Sequence, residues 1–172
     1  TAGMWNNTGT QLAIMRHETE VKGVHMTTDG SRVITWSQED TVNIWDSEGN
    51  PIAVLPHTNQ WDDPIINPND NMIVTWKDQA AWLWDIDGNP LADLPSDDEI
   101  IGAQWNPAGT HVLIRTYYGA DLWDTNGVLL KTMLHDRQVY FAQWNKEENR
   151  LLTFYSQQCD GGGGTMLWDV SN

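Results

Sequence analysis

Apolar residues in this chain come in short runs, each closed by a cluster of Asn, Asp, Gly or Pro. Arg32 to Trp36, Met72 to Trp76, His111 to Thr116 and Leu151 to Tyr155 are rich in β-branched and aromatic side chains. Such composition between turn signals predicts strands. These runs do not alternate polar with apolar, so the strands are expected to be inner ones, buried on both faces. Each follows a first strand and a turn: Val21 to Met26 with Thr28-Asp29-Gly30, then Ile66 to Asn71, Trp105 to Gly109 and Trp144 to Asn149. Fourth strands are predicted at Leu12 to Met15, Ile52 to Leu55, Leu91 to Leu94 and Leu130 to Met133. Asp93 and Lys131 make them more polar, as suits an outer edge. No segment shows a convincing helical period, and the chain reads as all-β.

Between the second and fourth strands lies a third, and it ends the same way each time. Ile44-Trp45-Asp46-Ser47-Glu48-Gly49 recurs as Leu83-Trp84-Asp85-Ile86-Asp87-Gly88 and Leu122-Trp123-Asp124-Thr125-Asn126-Gly127. A looser copy runs from Met4-Trp5 to Gly9, and a shortened one closes the chain at Leu167-Trp168-Asp169. The tryptophans at 5, 45, 84, 123 and 168 are 40, 39, 39 and 45 residues apart. A period near 40 in β-type sequence predicts a propeller or other repeat array. Residues 1–172 are read as one array, with repeats near 6–46, 47–85, 86–124 and 125–169 after a partial strand at 1–5. The recurring glycine predicts a backbone position with positive φ, which other residues adopt only at a cost.

The Trp-Asp pairs at Trp45-Asp46, Trp84-Asp85, Trp123-Asp124 and Trp168-Asp169 resemble those of the WD-repeat β-propeller family. His17, His57 and His135, each eight residues past a turn glycine, match the family's histidine; Ser96 takes that slot in the remaining copy. The resemblance implies four-stranded antiparallel blades, with Trp45, Trp84, Trp123, Trp168, His17, His57 and His135 as structural core. It also implies a buried network of histidine, hairpin Asp, Ser/Thr and Trp. The first full repeat offers His17, Glu39, Ser37 and Trp45. The second offers His57, Asp78 and Trp84, with Trp76 where the hydroxyl is expected. The third lacks the histidine and an obvious Asp, and in the fourth Asp160 could serve as the Asp only if its long loop permits. The family's glycine before the histidine is replaced by Arg16, Pro56 and Leu134. Incomplete networks are therefore expected, with Trp packing carrying more of the stability.

Strand counting places the start of the chain on a third and fourth strand, and its end on a third. The N-terminal fourth strand could complete the last blade. Four blades would make a small, strained ring of this blade type. The chain is thus expected to be a segment of a larger propeller, supplied by missing blades, or to pair with a second copy in an eight-bladed ring. Thr1 as first residue adds to the expectation of a longer parent.

Charge and composition narrow the function. Against 24 Asp and Glu stand 9 Lys and Arg, a formal net charge of −15. Nucleic acid and anionic membrane need clustered cations and are excluded as main partners; a basic protein or peptide partner fits. One cysteine, Cys159, allows no internal disulfide, and a cytoplasmic location is expected. Met4 to Leu12 is too polar for a signal peptide, and no apolar run is long enough for a membrane helix.

Catalytic and cofactor motifs are missing. The glycines at 161–164 are followed by no Lys-Ser/Thr and no helix, so they are not a phosphate loop. Asp85 to Asn89 resembles a calcium loop only faintly, because its sister copies share the turn and no bidentate Glu follows. The histidines, one repeat apart, should not converge on a metal. No nucleophile elbow is present, and Asp62-Asp63 and Asp97-Asp98 read as solvated charge. No enzyme, cofactor or metal site is expected. The functional surface is placed on loops entering the first strands: Glu18, Glu20, Gln60, Trp61, Asp97, Asp98, Asp136 and Arg137, with Tyr117 and Tyr118 from a hairpin. The reading is a protein-interaction scaffold or sensor module. Its alternatives are a purely architectural, self-associating segment and a propeller that binds or transforms a small molecule in a central channel.

Overall fold

The computed structural model describes residues 1–38, 41–56, 63–136, 138–156 and 163–171. Among them every regular element is a strand. β1 (Ala2–Trp5) and β2 (Gln11–Met15) form a hairpin. Three four-stranded antiparallel sheets follow. The first is β3 (Val21–Met26), β4 (Arg32–Ser37), β5 (Thr41–Asp46) and β6 (Pro51–Pro56). The second is β7 (Ile65–Ile66), β8 (Met72–Lys77), β9 (Ala80–Asp85) and β10 (Pro90–Pro95). The third is β11 (Ile100–Trp105), β12 (His111–Thr116), β13 (Gly119–Asp124) and β14 (Leu129–Leu134). A three-stranded sheet closes the chain: β15 (Val139–Trp144), β16 (Arg150–Ser156) and β17 (Gly163–Asp169). Each is a meander with its strands in chain order, the blade of a propeller.

The predicted inner strands are the second strands, and they are buried on both faces because a sheet packs against each side. Ile34, Val42, Ile44 and Leu55 of the first sheet cluster with Ile73 of the second. Leu83 and Leu94 of the second cluster with Val112, Ile114 and Trp123 of the third. Leu113, Leu122 and Met133 of the third cluster with Ala142, Trp144 and Leu151 of the last. Fully burying one such aliphatic side chain stabilises by about 1.5–3 kcal/mol. The β1–β2 hairpin continues the stack, since Ala2, Met4 and Met15 pack on Val33 and Trp45. The fourth strands are mostly exposed. One expectation changes here: β2 pairs with β1, not with β17, so the N-terminal fourth strand does not complete the last blade within this chain.

The Trp-Asp-x-x-Gly stretch divides its work between two residues. The aspartate folds the turn: Asp46 Oδ1 accepts from the amides of Glu48 and Asn50 at 2.9 and 2.8 Å. Asp85 does the same for Asp87 and Asn89, and Asp124 for Asn126 and Val128. The carboxyls of Asp46, Asp85 and Asp124 lie below the usual carboxylate range: the Asn50 side chain and these amides lower Asp46, desolvation at Asp85 is outweighed by the Asn89 side chain and the amides, and the Val128 amide leads at Asp124. Glycine is needed at the fourth place for two reasons. Gly49, Gly88 and Gly127 have φ of 82, 85 and 78°. A Cβ on each would also lie 2.4–2.7 Å from the Cβ of Ala13, Ala53 or Ala92 on the preceding fourth strand. The turn of one blade is therefore seated on the edge of the blade before it.

Gly9 has the same φ, 79°, but nothing within 4 Å of a Cβ. Gly9→Ala should therefore cost only the backbone strain, about 1 kcal/mol. Gly88→Ala should cost at least about 1–3 kcal/mol more from overpacking, and Ala53→Gly should restore part of it. Urea melts of the three variants check this.

Candidate functional site

The tryptophan of the repeat serves a hydrogen-bond relay that differs among the copies. Trp45 Nε1 donates to Thr35 Oγ1 at 2.8 Å, and that hydroxyl lies 2.9 Å from His17 Nε2. Trp168 Nε1 donates to Thr153 Oγ1 at 2.8 Å, and Thr153 lies 3.1 Å from His135 Nε2. Each imidazole meets its indole edge-on, with centroids 5.8 and 5.5 Å apart. Trp84 donates to Thr75 at 2.9 Å. The hydroxyl is thus Thr35, Thr75 and Thr153; Thr35 lies two residues before Ser37 and Thr75 one residue before Trp76, the positions that the sequence suggested. Cross-strand register gives the reason. Trp45 stands opposite Val33 and Trp84 opposite Ile73, so a long indole reaches the diagonal neighbour two residues along. Asp78 is exposed at a hairpin apex with φ 53° and does not enter a buried network. His57, Glu39 and Asp160 lie outside the described residues.

The third copy lacks both ends of the relay. Trp123 stands opposite Val112, so the diagonal place is Ile114, where the other copies have threonine. The buried Trp123 Nε1 has no hydrogen-bond partner among the described residues. Ser96 replaces the histidine. A groove of about 570 Å³ opens here, lined by Ser96 and Trp123, the positions at which a histidine and a tryptophan pack together in the first and last copies.

Its walls carry the chemistry. Asp97, Asp98 and Asp121 line the groove with Tyr118, Thr116 and Thr132. Asp98 is positioned by the hairpin of the same sheet, accepting from the Tyr118 amide at 3.2 Å and from the Glu99 amide at 2.8 Å. Ser96 Oγ accepts from the Asp98 amide at 3.4 Å. Burial pushes the Asp121 carboxyl above its ordinary value; a hydrogen bond from Thr132 opposes this, and the charge of Asp97 adds to it. Neither salt bridge of the described residues reaches the groove, since they join His25 to Asp70 and Arg32 to Asp87. The arrangement offers anionic oxygens, an exposed phenol and an apolar floor, the surroundings that suit a cationic side chain.

Of the loop residues singled out by sequence, Asp97, Asp98 and Tyr118 come together here. Tyr117 is exposed beside them but does not line the groove. Glu18, Glu20 and Asp136 are exposed at other repeats, Asp136 next to the buried His135. Gln60, Trp61 and Arg137 lie outside the described residues. Sequence reasoning missed Asp121. Its signal was a carboxylate inside a third strand, where the sister copies have Asn43, Trp82 and Met166. No group of three or more His, Cys, Asp or Glu among the described residues is placed to hold a metal. No helix among them is long and apolar enough to cross a membrane.

Comparison with solved structures decides the architecture. The C-terminal WD40 domain of Sif2 superposes with a TM-score of 0.67 at 16% identity, covering 98% of this chain and 48% of that one. The fold is that of a WD-repeat β-propeller segment. The propeller segment spans about half the length of the Sif2 domain. The computationally designed Ika4 protein matches with a TM-score of 0.65 at 19% identity, over 95% of this chain and 99% of that one. Hydrazine synthase of Kuenenia stuttgartiensis matches with a TM-score of 0.65 at 13% identity, over 90% of this chain and 48% of that one. No family model and no curated protein matches the sequence.

Two predictions test the relay. Trp45→Phe removes a hydrogen bond that Trp123→Phe does not, so in urea melts it should cost about 0.5–1.5 kcal/mol more. The second concerns His135, whose pKa desolvation lowers below the ordinary 6.5 while the Asp136 charge opposes the shift. A histidine held neutral in the fold supplies stability above pH 6.5, and that stability is lost as pH falls toward the folded value. Thermal melts should show this loss below pH 6.5, and His135→Gln should remove it.

Proposed function

We propose that this segment is a non-catalytic protein-interaction scaffold whose third blade receives a Lys- or Arg-bearing segment of a basic partner. WD-repeat propellers serve generally as interaction scaffolds, and fold alone says no more than that. The reading for this chain is carried by the groove between Ser96 and Trp123, walled by Asp97, Asp98 and Asp121. It lies where the repeat has given up its stabilising relay, and its half-buried carboxylate, Asp121, has no cation beside it among the described salt bridges. A guanidinium there would pair with Asp121 and lie near the Tyr118 phenol, while the net charge of −15 would speed encounter with a basic partner.

The probe is a fluorescent acetylated hexa-arginine peptide, with hexa-glutamate as control. Binding should weaken with salt, since exposed charge is screened within about 10 Å at 0.1 M. Asp121→Asn should reduce affinity about tenfold, a loss of about 1.4 kcal/mol. The same variant should raise the thermal midpoint at pH 7, because it removes a carboxylate that burial disfavours. Loss of stability with unchanged peptide affinity would overturn the assignment and leave Asp121 a structural residue.

A further inference from the structure

An outer strand has one edge paired and one edge open, and the three four-stranded sheets guard that open edge differently. Among the described residues β6 pairs only with β5, β10 only with β9 and β14 only with β13. Pro56 ends β6 and Pro95 ends β10, opposite Thr41 and Ala80; the same place in β14 is Leu134, opposite Gly119. Two residues earlier the three strands carry Val54, Asp93 and Thr132. Proline removes an edge donor, and a charge on an edge strand discourages further pairing. β14 has neither guard at these two places, and Leu134 is 73% exposed.

The direction of the free backbone groups follows from the next residue. The His135 amide donates to the Tyr118 carbonyl at 2.8 Å, inward across the sheet. Successive residues of a strand turn their backbone groups to opposite edges, so Leu134 and Thr132 hold N–H and C=O toward the open edge. Proline at 56 and 95 agrees with this, since no inward N–H is needed there. Thr132 and Leu134 also line the groove, with Asp121 and Trp123. Thr132 stands opposite Asp121, and its hydroxyl donates to that carboxylate. The open edge and the groove are one continuous surface.

We propose, resting on the groove as a cation site, that the basic partner's segment adds to β14 as a fifth strand, with an arginine opposite Thr132 that reaches Asp121. The row then runs from arginine over Thr132 to Asp121, across two strand spacings or about 10 Å. An extended arginine and the aspartate side chain span that together. Backbone hydrogen bonds to Thr132 and Leu134 supply affinity and register, and the carboxylates select the side chain. Charge names the occupant. Asp97, Asp98 and Asp121 line the groove, and neither salt bridge of the described residues reaches it. A second copy of β14, antiparallel to the first, would bring Thr132 or Leu134 to the arginine's place and no cation, against a like net charge of −15.

The probe is a fluorescein-labelled peptide, Lys-Thr-Val-Arg-Val-Thr-Lys, added to the whole 172-residue chain. One derivative is N-methylated at the arginine and both threonines, the other at both valines. A strand meets β14 through one edge only, so the first derivative should lose at least about tenfold in affinity, and the second should bind like the unmethylated peptide. Leu134→Pro should weaken the unmethylated peptide by a similar factor with an unchanged thermal midpoint, because proline fills that place in β6 and β10. Equal affinities of the two methylated peptides, whether lost or kept, would overturn strand addition, as would a loss confined to the valine-methylated one. So would a dimer of the unaltered chain in light scattering that Leu134→Pro dissociates, since a second copy would then hold the edge. Asp121→Asn separates the two readings. If it weakens the unmethylated peptide while both methylated forms bind as well as that peptide, the groove stands and strand addition falls; if it changes nothing, the cation site falls and strand addition with it.

Discussion

Everything in this molecule depends on sheets that are apolar on both faces. A sheet of that kind has no solvent side and cannot be stable alone; it must be covered by a neighbour in front and another behind. Leu83, Leu94, Val112 and Ile114 lie in one apolar layer contributed by two sheets, and the same layer recurs along the chain. The repeat is the sequence form of this requirement. Each copy supplies half of two layers, so the period is set by the sheet and not by any ligand.

The Trp-Asp-x-x-Gly stretch is where in-sheet and between-sheet constraints meet. Its aspartate folds the turn, its glycine seats the turn on the preceding fourth strand, and its tryptophan ties third strand to second through a threonine hydroxyl. Further links run between blades at the rim. Asp70 accepts from the Thr28 amide and approaches His25, and Arg32 pairs with Asp87 at 2.7 Å. Partly exposed pairs of this kind add little individually. They fix the relative placement of sheets whose stability comes from the layers between them.

Much of the architecture was legible because Trp-Asp-x-x-Gly recurs in phase, and the strand types followed from the lack of alternation in the second strands. The hydroxyl of the relay was not, because a linear pattern does not show diagonal contacts across a register. Thr35 is beside Trp45 only once β4 and β5 are aligned. The candidate site was legible in part: Ser96 in a histidine slot marked the divergent copy, and Asp97, Asp98 and Tyr118 were named as surface residues. That Ile114 was its companion change, and that Asp121 faces the space left behind, required the sheet.

The claim that packing between successive sheets governs stability is tested most directly by native-state amide hydrogen exchange followed strand by strand. The account predicts the slowest exchange in β4, β8 and β12, faster exchange in the outer strands β6, β10 and β14, and the fastest in β1, whose Trp5 is exposed. Equal protection across each sheet, or protection of β1 matching that of β8, would contradict it.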